Sequence, residues 1–317
     1  MPVLLLILAC ALWAVSFPVI KALELEQSAR LGPLPDGFLA VWLQTARFSL
    51  AALIMLPVLI HRRPTRSEII QGAWLALWGG LGMALQAWGL PKTEASTSAF
   101  LTQAYCVILP LIACVRTRSA PSLRVIVATV MVLAGGAILA GVNPQTLKIG
   151  DGELATLAAA FIFTFQILTL ENPKYEGNRG LVVTFAMSAW IAVLFLPLSL
   201  VLAPAPEMVI AAGASWPAFA LILALALLCS VGAYGLMNSW QPRVSSTEAG
   251  LIYTTEPLFT AIFVMFLPVM LGRMVGHPYP NESLTRSLIY GGSLILAANV
   301  LMQWKRPPHP PAIAPAP

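Results

Sequence analysis

The sequence predicts an all-α polytopic membrane protein with ten transmembrane helices arranged as two inverted five-helix repeats. Of its 317 residues, 58% are hydrophobic and only 10% are charged, and the mean hydropathy is +0.82, whereas an average soluble domain has roughly 25% charged residues. Ten apolar segments have the length of about 20 residues that a bilayer-spanning helix needs. In addition, residues of the first half recur 150 positions later in the second half.

The first repeat, residues 1–142, contains five predicted spans, at residues 3–23, 38–60, 70–90, 96–115 and 124–142. The first span has no basic segment before it and no clear small-residue cleavage site, so it is interpreted as a retained helix rather than a signal peptide. Pro18 and Pro110 lie inside the first and fourth spans. Because proline has no N–H to donate, we expect the carbonyls of Ala14 and Cys106 to lose their helical partners.

A connecting loop, residues 143–151, leads to the second repeat, residues 152–306, whose spans lie at 152–170, 181–203, 216–239, 246–271 and 284–304. The proline-rich tail, residues 307–317, is predicted to be disordered. The ninth span contains Glu256 followed by Pro257. The proline should kink the helix and free the carbonyl of Tyr253, so that one turn offers a carboxylate and a free carbonyl at membrane depth.

The internal repeat is clearest where STSAFLTQAYCVILP (96–110) aligns with STEAGLIYTTEPLFT (246–260). LACALW (8–13) falls over AAAFIF (158–163) with the same shift, and LAGGAILA (133–140) resembles IYGGSLIL (289–296). Since five is an odd number of crossings, the second copy must begin on the opposite side of the membrane. Inverted repeats are a common plan of secondary transporters, with the substrate site near the midplane between the halves.

The distribution of basic residues predicts the orientation of the chain. If the N-terminus is cytoplasmic, the inner loops and the tail carry more Lys and Arg than the outer loops. By the positive-inside rule, both termini are then cytoplasmic. The formal charge of +5 is spread over the loops, without the basic runs or aromatic-basic arrays of nucleic-acid-binding proteins, so no nucleic-acid partner is predicted.

The sequence contains none of the common catalytic or metal-binding motifs. The four cysteines form no C-x-x-C pair and the three histidines form no ligand-spaced set, so neither a disulfide framework nor a zinc site is indicated. There is also no P-loop, no Asp-rich magnesium motif and no G-x-S-x-G. We therefore predict that the protein is not an enzyme and has no catalytic residues, metal site or cofactor.

Four stretches resemble EamA-type members of the drug/metabolite transporter superfamily. They are LWAVSFPVIK, ARFSLAALIMLP, LQAWGLPKTEASTSAFLTQAYCVILPL and SWQPRVSSTEAGLIYTTEPLFTAIF. The resemblance implies ten helices in two inverted halves, a bacterial inner (plasma) membrane location with both termini inside, and export or exchange of small polar metabolites such as amino acids. The chain departs from the family pattern at Val107, where members often have proline, and at Gly272-Arg273, where they often have a Gly-Glu pair.

Glu256 is the leading site candidate, because intramembrane carboxylates usually serve substrate or proton binding. The alternative is a glutamate paired with a neighbouring helix. The inverted pairing aligns Glu256 with Cys106 and Tyr253 with Gln103, which would bring the fourth and ninth spans to one midplane cavity. We expect Glu256, Tyr253 and Gln103 to bind the substrate there, and proton coupling through Glu256 is a further hypothesis.

The remaining candidates are polar or aromatic groups in or near the predicted spans. Lys21 and Arg47 would either bind an anionic substrate group or serve structure, Lys21 by pairing with an acid such as Glu24 and Arg47 by pairing or by snorkelling to the interface. Trp13 and Tyr105 would line the cavity or pack between helices. Gln86 and Asn238 would contact the solute or bond a neighbouring helix.

These observations predict a secondary active transporter that moves a small polar organic metabolite, an amino acid or related solute, outward by alternating access. One alternative is a non-transporting membrane protein with a structural or assembly role. Another is an exchanger or uptake carrier for carboxylates or nucleotide-type solutes. The partners expected are a small solute and the lipid bilayer, with the chain a monomer or homodimer.

Overall fold

A computed structural model describes residues 1–61, 63–118, 120–139, 149–244 and 246–303, and all regular structure in these ranges is helical. The predicted disordered tail, 307–317, and most of the predicted connecting loop lie outside the described residues. The first half contains seven α-helices. They are α1 (Pro2–Ala14), α2 (Ser16–Leu31), α3 (Asp36–His61), α4 (Arg66–Gly89), α5 (Ala95–Thr102), α6 (Tyr105–Thr117) and α7 (Leu123–Leu139).

The described second half begins with α8 (Asp151–Leu170), α9 (Gly180–Leu202) and the short α10 (Met208–Ala211). A long helical stretch follows, made of α11 (Trp216–Ala224), a π-helical segment (Leu225–Ala233) and α12 (Tyr234–Trp240). The remaining helices are α13 (Ser246–Tyr253), α14 (Glu256–Phe263), α15 (Leu267–Val275) and α16 (Arg286–Gln303).

Several helical stretches are long and apolar enough to cross a membrane. Five described stretches meet this condition alone: Pro2–Leu31, Asp36–Pro57, Asp151–Leu170, Gly180–Leu202 and Trp216–Arg243. The pair α14 and α15, bent by 59°, would make a sixth. Ala95–Leu109, Leu123–Leu139 and Arg286–Leu301 are shorter apolar helices. The structure thus has the composition of a multi-pass membrane protein, while the ten-helix, two-repeat arrangement stays a prediction.

Three of the predicted spans are interrupted near the middle of the molecule. α1 ends at Ala14, where Pro18 removes the next donor, and α13 ends at Tyr253 just before the Glu256-Pro257 pair. These two breaks were expected from proline chemistry. The third break lies between α5 and α6 at residues 103–104, just before Cys106. From Tyr105 onward, α6 continues as a helix past Pro110.

Close helix packing surrounds these breaks. α3 packs on α9, α4 on both α8 and α9, and α7 on α16. Small residues permit the approach: a Cβ added at Gly72 on α4 would lie 2.6 Å from the Cβ of Ala186 on α9. Large apolar side chains such as Leu53 and Val193 remain on the outside, as expected for a surface that faces lipid.

An ion pair joins α4 and α9 at one end of the bundle. Glu68, in the first turn of α4, accepts bonds from Arg179 Nε at 2.7 Å and Arg179 Nη2 at 2.8 Å, and also from the backbone N of Arg179 at 3.0 Å. Thr65 and Glu68 additionally form a capping box. The Arg179 guanidinium is the main reason that the pKa of Glu68 falls to about 2.

We expect this ion pair to make the thermal stability of the protein decrease at acidic pH. The Glu68 pKa is near 4.5 without these contacts and about 2 with them, so its contribution is complete above pH ~4.5 and is lost as the pH falls towards ~2. Glu68→Gln should lower the melting temperature of the purified protein at pH 7, and the deficit should narrow at pH 3. Glu176→Gln, at an exposed carboxylate in the same region, is the control. An equal deficit at both pH values would contradict this assignment.

Candidate functional site

A cavity lies where the three interrupted helices meet α3, α4, α8 and the π-helical segment with α12. Its volume is about 80 Å³, several times the roughly 15 Å³ that one ordered water requires. Its lining residues are Trp13, Ser16, Ile20, Arg47, Met83, Gln86, Thr102, Tyr105, Phe163, Gln166, Ile167, Tyr234, Met237, Tyr253 and Glu256. Residues from both halves of the chain therefore surround one space in the interior of the bundle.

Most of the side chains singled out from the sequence reach this cavity. They are Trp13, Arg47, Gln86, Tyr105, Tyr253 and Glu256. Ser16, Ile20, Met83, Thr102, Phe163, Gln166, Ile167, Tyr234 and Met237 also line it and were not among the site predictions. For Phe163 and Gln166 a signal was available, because the repeat shift of 150 carries Trp13 onto Phe163 and Ser16 onto Gln166.

Glu256 supplies the negative charge of the cavity. It is the first residue of α14, directly after the break at residues 254–255, and it is partly buried. Within the described ranges, no side chain donates a hydrogen bond to its carboxylate, and no Lys or Arg lies within ion-pair distance. The structure thus gives no sign of the alternative in which Glu256 is paired with a neighbouring helix.

Arg47 supplies the positive charge. Only 3% of the residue is exposed. Its Nε donates to Ser230 Oγ at 3.0 Å, and its guanidinium carbon lies 4.8 Å from the centre of the Phe48 ring. In the part of the chain that the structure describes, Arg47 forms no ion pair. Burial of a cation without an anionic partner is costly. We therefore expect an anionic group of a ligand in the cavity to bind the outer guanidinium nitrogens.

Two neutral donors in the lining are also without partners. Trp13 Nε1 and Gln166 Nε2 are buried and bond no group in the described part of the chain. The Gln166 amide lies against α4 at Gly79, where a Cβ would come within 2.7 Å of Nε2. Buried polar groups normally have partners. Because Trp13 and Gln166 both line the cavity, we expect a ligand or water there to supply the acceptors.

The tyrosine hydroxyls, in contrast, are already used within the protein. Tyr253 donates to Gln241 Oε1 at 2.6 Å, and Tyr234 donates to Met83 Sδ at 3.2 Å. The Trp13 ring makes edge contacts with both tyrosine rings, at centroid distances of 5.1 Å to Tyr234 and 5.9 Å to Tyr253. These contacts hold the aromatic wall of the cavity in place and leave ring faces for apolar parts of a solute.

Three predicted site residues lie outside the cavity lining. Gln103 is fully buried and accepts a hydrogen bond from the Tyr105 hydroxyl at 3.2 Å. The Nζ of Lys21 donates to the carbonyl of Thr93, at the end of the bundle opposite Glu68. Asn238 donates to Thr184 Oγ1 at 3.0 Å, which ties α12 to α9. In the structure these side chains support the helices around the site.

Comparison with known proteins agrees with this architecture. Residues 1–141 match the EamA-like transporter family. A relative from Archaeoglobus fulgidus, named "Uncharacterized transporter", is 23% identical over 297 residues, which are 94% of this chain and 84% of the relative. A solved structure described as "Crystal structure of protein" has a TM-score of 0.52 and 14% identity, with 92% of this chain and 95% of that chain covered, so the two share a fold. The resemblance predicted from the sequence is therefore confirmed: the first 141 residues carry the sequence pattern of the EamA-like transporter family.

Proposed function

We propose that this protein is a secondary transporter that exports a small polar organic solute, an amino acid or a related compound, across the bacterial inner membrane. The observation that carries the proposal is the cavity at the three helix breaks, in which Glu256 and Arg47 each lack a charged partner among the described residues. Isolated charges at membrane depth are expensive and usually mark a substrate or ion pathway. The names of the matching family and of the archaeal relative also support transport.

The polarity of the lining favours a zwitterion. Arg47, Trp13 and Gln166 offer unpaired donors, which suit a carboxylate, and a guanidinium can bind that group through two parallel hydrogen bonds. Glu256 offers unpaired acceptors, which suit an ammonium group. Phe163 and the ring faces of Tyr234 and Tyr253 would then contact the solute's apolar part. A zwitterion would compensate both buried charges at once.

Alternating access between two inverted five-helix halves, residues 1–142 and 152–306, is the mechanism we propose. Two features support it. The α5–α6 break at residues 103–104 and the α13–α14 break at 254–255 fall within one residue of equivalent positions of the repeat. The contact of α4 with α8 also has a counterpart in the contact of α1 with the π-helical segment and α12. Such halves rock about a fixed midplane site.

Proton coupling through Glu256 is part of the proposal. A proton and a solute ammonium group would compete for the same carboxylate, so binding of one favours release of the other. In such an exchange an inward proton gradient would drive the solute outward. Exchange of carboxylates is the second candidate function. The unpaired donors of Arg47, Trp13 and Gln166 favour it.

The proposal can be tested by thermal unfolding of the purified protein with three matched probes. L-Leucine carries both charges, 3-methylbutylamine lacks the carboxylate, and 4-methylpentanoate lacks the ammonium group. A ligand at about 100 times its Kd stabilises the native state by roughly 2.7 kcal/mol. We expect amino acids to raise the melting temperature more than either single-charge analogue. Stabilisation by 4-methylpentanoate alone would favour the carboxylate carrier.

The screen is widened with other amino acids, polyamines, dicarboxylates, nucleosides and lipophilic cations. If no compound shifts the melting temperature, a non-transporting structural role is favoured. A compound that does shift it can then be followed in proteoliposomes, where counterflow of labelled solute separates transport from mere binding.

A further inference from the structure

Glu282 joins the start of α5 to the end of α14. Each of these two short helices carries a cavity-lining residue at its other end. It lies in the loop between α15 and α16. Its Oε1 accepts from the backbone N of Ala95 at 2.8 Å, and its Oε2 accepts from the N and Oγ of Ser96 at 3.3 Å and 2.6 Å. Its own backbone N donates to the carbonyl of Val264, just after α14, at 2.9 Å. One residue thus connects the start of α5 with the end of α14.

The Glu282 carboxylate caps the N-terminus of α5, a role that the N-cap residue of α5 does not fill. Glu94 occupies the N-cap position of α5, but its side chain forms no capping bond. The first amides of a helix have no intrahelical acceptor, and a carboxylate at that position is stabilising. Glu282 supplies it from the second half of the chain. The contact is therefore a non-covalent bridge between the halves, 187 residues apart in sequence for its shortest amide bond.

The bridge connects two helices that each contribute a residue to the cavity wall. α5 ends at Thr102, whose hydroxyl accepts from Gln86 at 2.8 Å, and α14 begins at Glu256. Both residues line the cavity. If the outer ends of α5 and α14 move apart, the bonds of Glu282 to Ala95 and Ser96 must break. While those bonds persist, the start of α5 stays joined to the end of α14.

The bridge at the opposite end of the bundle is built differently. Glu68 and Arg179 carry opposite charges and share two side-chain bonds. Beside them α4 and α9 are in tight contact, with 2.9 Å between a Cβ built at Gly72 and the backbone of Ala186. Arg179 Nη2 also donates to the carbonyl of Arg63 at 2.8 Å, which adds a third side-chain bond to the junction. It is suited to remain joined while the other end opens.

We propose that Glu282 is a releasable latch that holds α5 against α14, and that ionisation of Glu94 loosens it. The latch itself does not depend on what the protein transports. Its role as the closure of one side of the cavity rests on the proposed function.

The groups around Glu94 determine the direction of the pH effect. Burial and the adjacent Glu282 carboxyl raise the pKa of Glu94, while Lys21 from α2 lowers it in part. Tyr279 in the same loop as Glu282 also faces this cluster, and Glu153 on α8 reaches it through the Thr93 hydroxyl. Protonated Glu94 can donate to Glu282. As the pH rises through the raised pKa, a second negative charge appears beside Glu282, and repulsion favours release.

Hydrogen exchange measured by mass spectrometry on the full chain, without any solute, tests the latch directly. Protection factors, which correct for the intrinsic pH dependence of exchange, are read from peptides that include the amides of residues 95 and 96. Hydrogen bonds to charged groups contribute about 1.5–3 kcal/mol, so Glu282→Ala should lower protection there roughly tenfold or more. Wild-type protection should fall as the pH rises through the raised pKa of Glu94, and Glu94→Gln should keep protection high over the same range.

Asp36→Asn is the matched control, because it neutralises a carboxylate at the same end of the bundle that forms an ion pair with Lys92 at 2.6 Å and has no recorded bond to α5 amides within the described residues. Peptides from α9 report whether each variant is folded. Unchanged protection in Glu282→Ala, or an unchanged pH dependence in Glu94→Gln, would overturn the proposal. Since no ligand is present, either result is independent of whether the transport proposal is correct.

Discussion

Replacement of Glu256 by glutamine is expected to reduce solute transport at least tenfold while the protein remains folded. The substitution keeps the size of the side chain but removes the single negative charge among the cavity-lining residues. Hydrogen bonds to a charged group are stronger than neutral ones by about 1 kcal/mol or more, close to a factor of ten. Because no described side chain donates to this carboxylate, little internal structure should be lost. Counterflow in proteoliposomes, with a solute found by thermal screening, measures the effect.

The same variant separates binding from proton coupling. If Glu256 carries the proton, residual transport by Glu256→Gln should no longer respond to an imposed proton gradient. Residual transport that still responds fully would contradict coupling through this residue. Glu176→Gln, which neutralises an exposed carboxylate outside the cavity, should transport like wild type. Equal transport by Glu256→Gln and wild type would contradict the assignment of Glu256 to the site.

Proline chemistry and the repeat predicted much of the site from sequence. Pro18 and Pro257 indicated two of the three breaks, because a missing amide donor has a local consequence that does not depend on packing. No proline lies within one helical turn of the third break, at residues 103–104. Alignment with the break before Glu256 places it within one residue of where it lies, and only the repeat could have indicated it.

Side-chain direction was the part that sequence could not supply. Gln103 aligns with Tyr253, yet its side-chain oxygen accepts from the Tyr105 hydroxyl and the residue does not line the cavity. Lys21 belongs to the most family-like part of the first span, but it lies beyond the break at Val15, and its long side chain reaches the Thr93 carbonyl. Breaks rotate the residues that follow them, so helical periodicity no longer predicts which face is inside.

The π-helical segment is a second feature without a sequence signal. Residues 225–233 are uniformly apolar or small, and nothing in them separates a π-helix from an α-helix. The segment brings Ser230 to Arg47 at 3.0 Å. π-Helical turns occur frequently at functional sites, and here the segment supplies Ser230, whose hydroxyl accepts from the buried Arg47 guanidinium.

The second large effect is expected at the contact between α7 and α16, where Gly135 and Gly291 face each other. A Cβ at Gly135 would lie 2.7 Å from the carbonyl oxygen of Gly291, and a Cβ at Gly291 would lie 2.7 Å from that of Gly135. Backbone atoms cannot move aside as a flexible side chain can. Gly135→Val should therefore force the helices apart at a cost of about 1–3 kcal/mol or more, which thermal unfolding can measure.

The proper control is Gly37→Ala, because Gly37 also lies in a helix but has no atom within 4 Å of its added Cβ. It should be neutral or slightly stabilising, since alanine favours helix more than glycine. The two glycines occupy equivalent positions in LAGGAILA and IYGGSLIL, as expected where a pseudo-two-fold axis passes between repeats. If Gly135→Val and Gly291→Val each destabilise and the double variant costs less than their sum, the helices share one contact. Full additivity would contradict the direct approach of these two backbones, and with it the strongest packing argument for paired repeats.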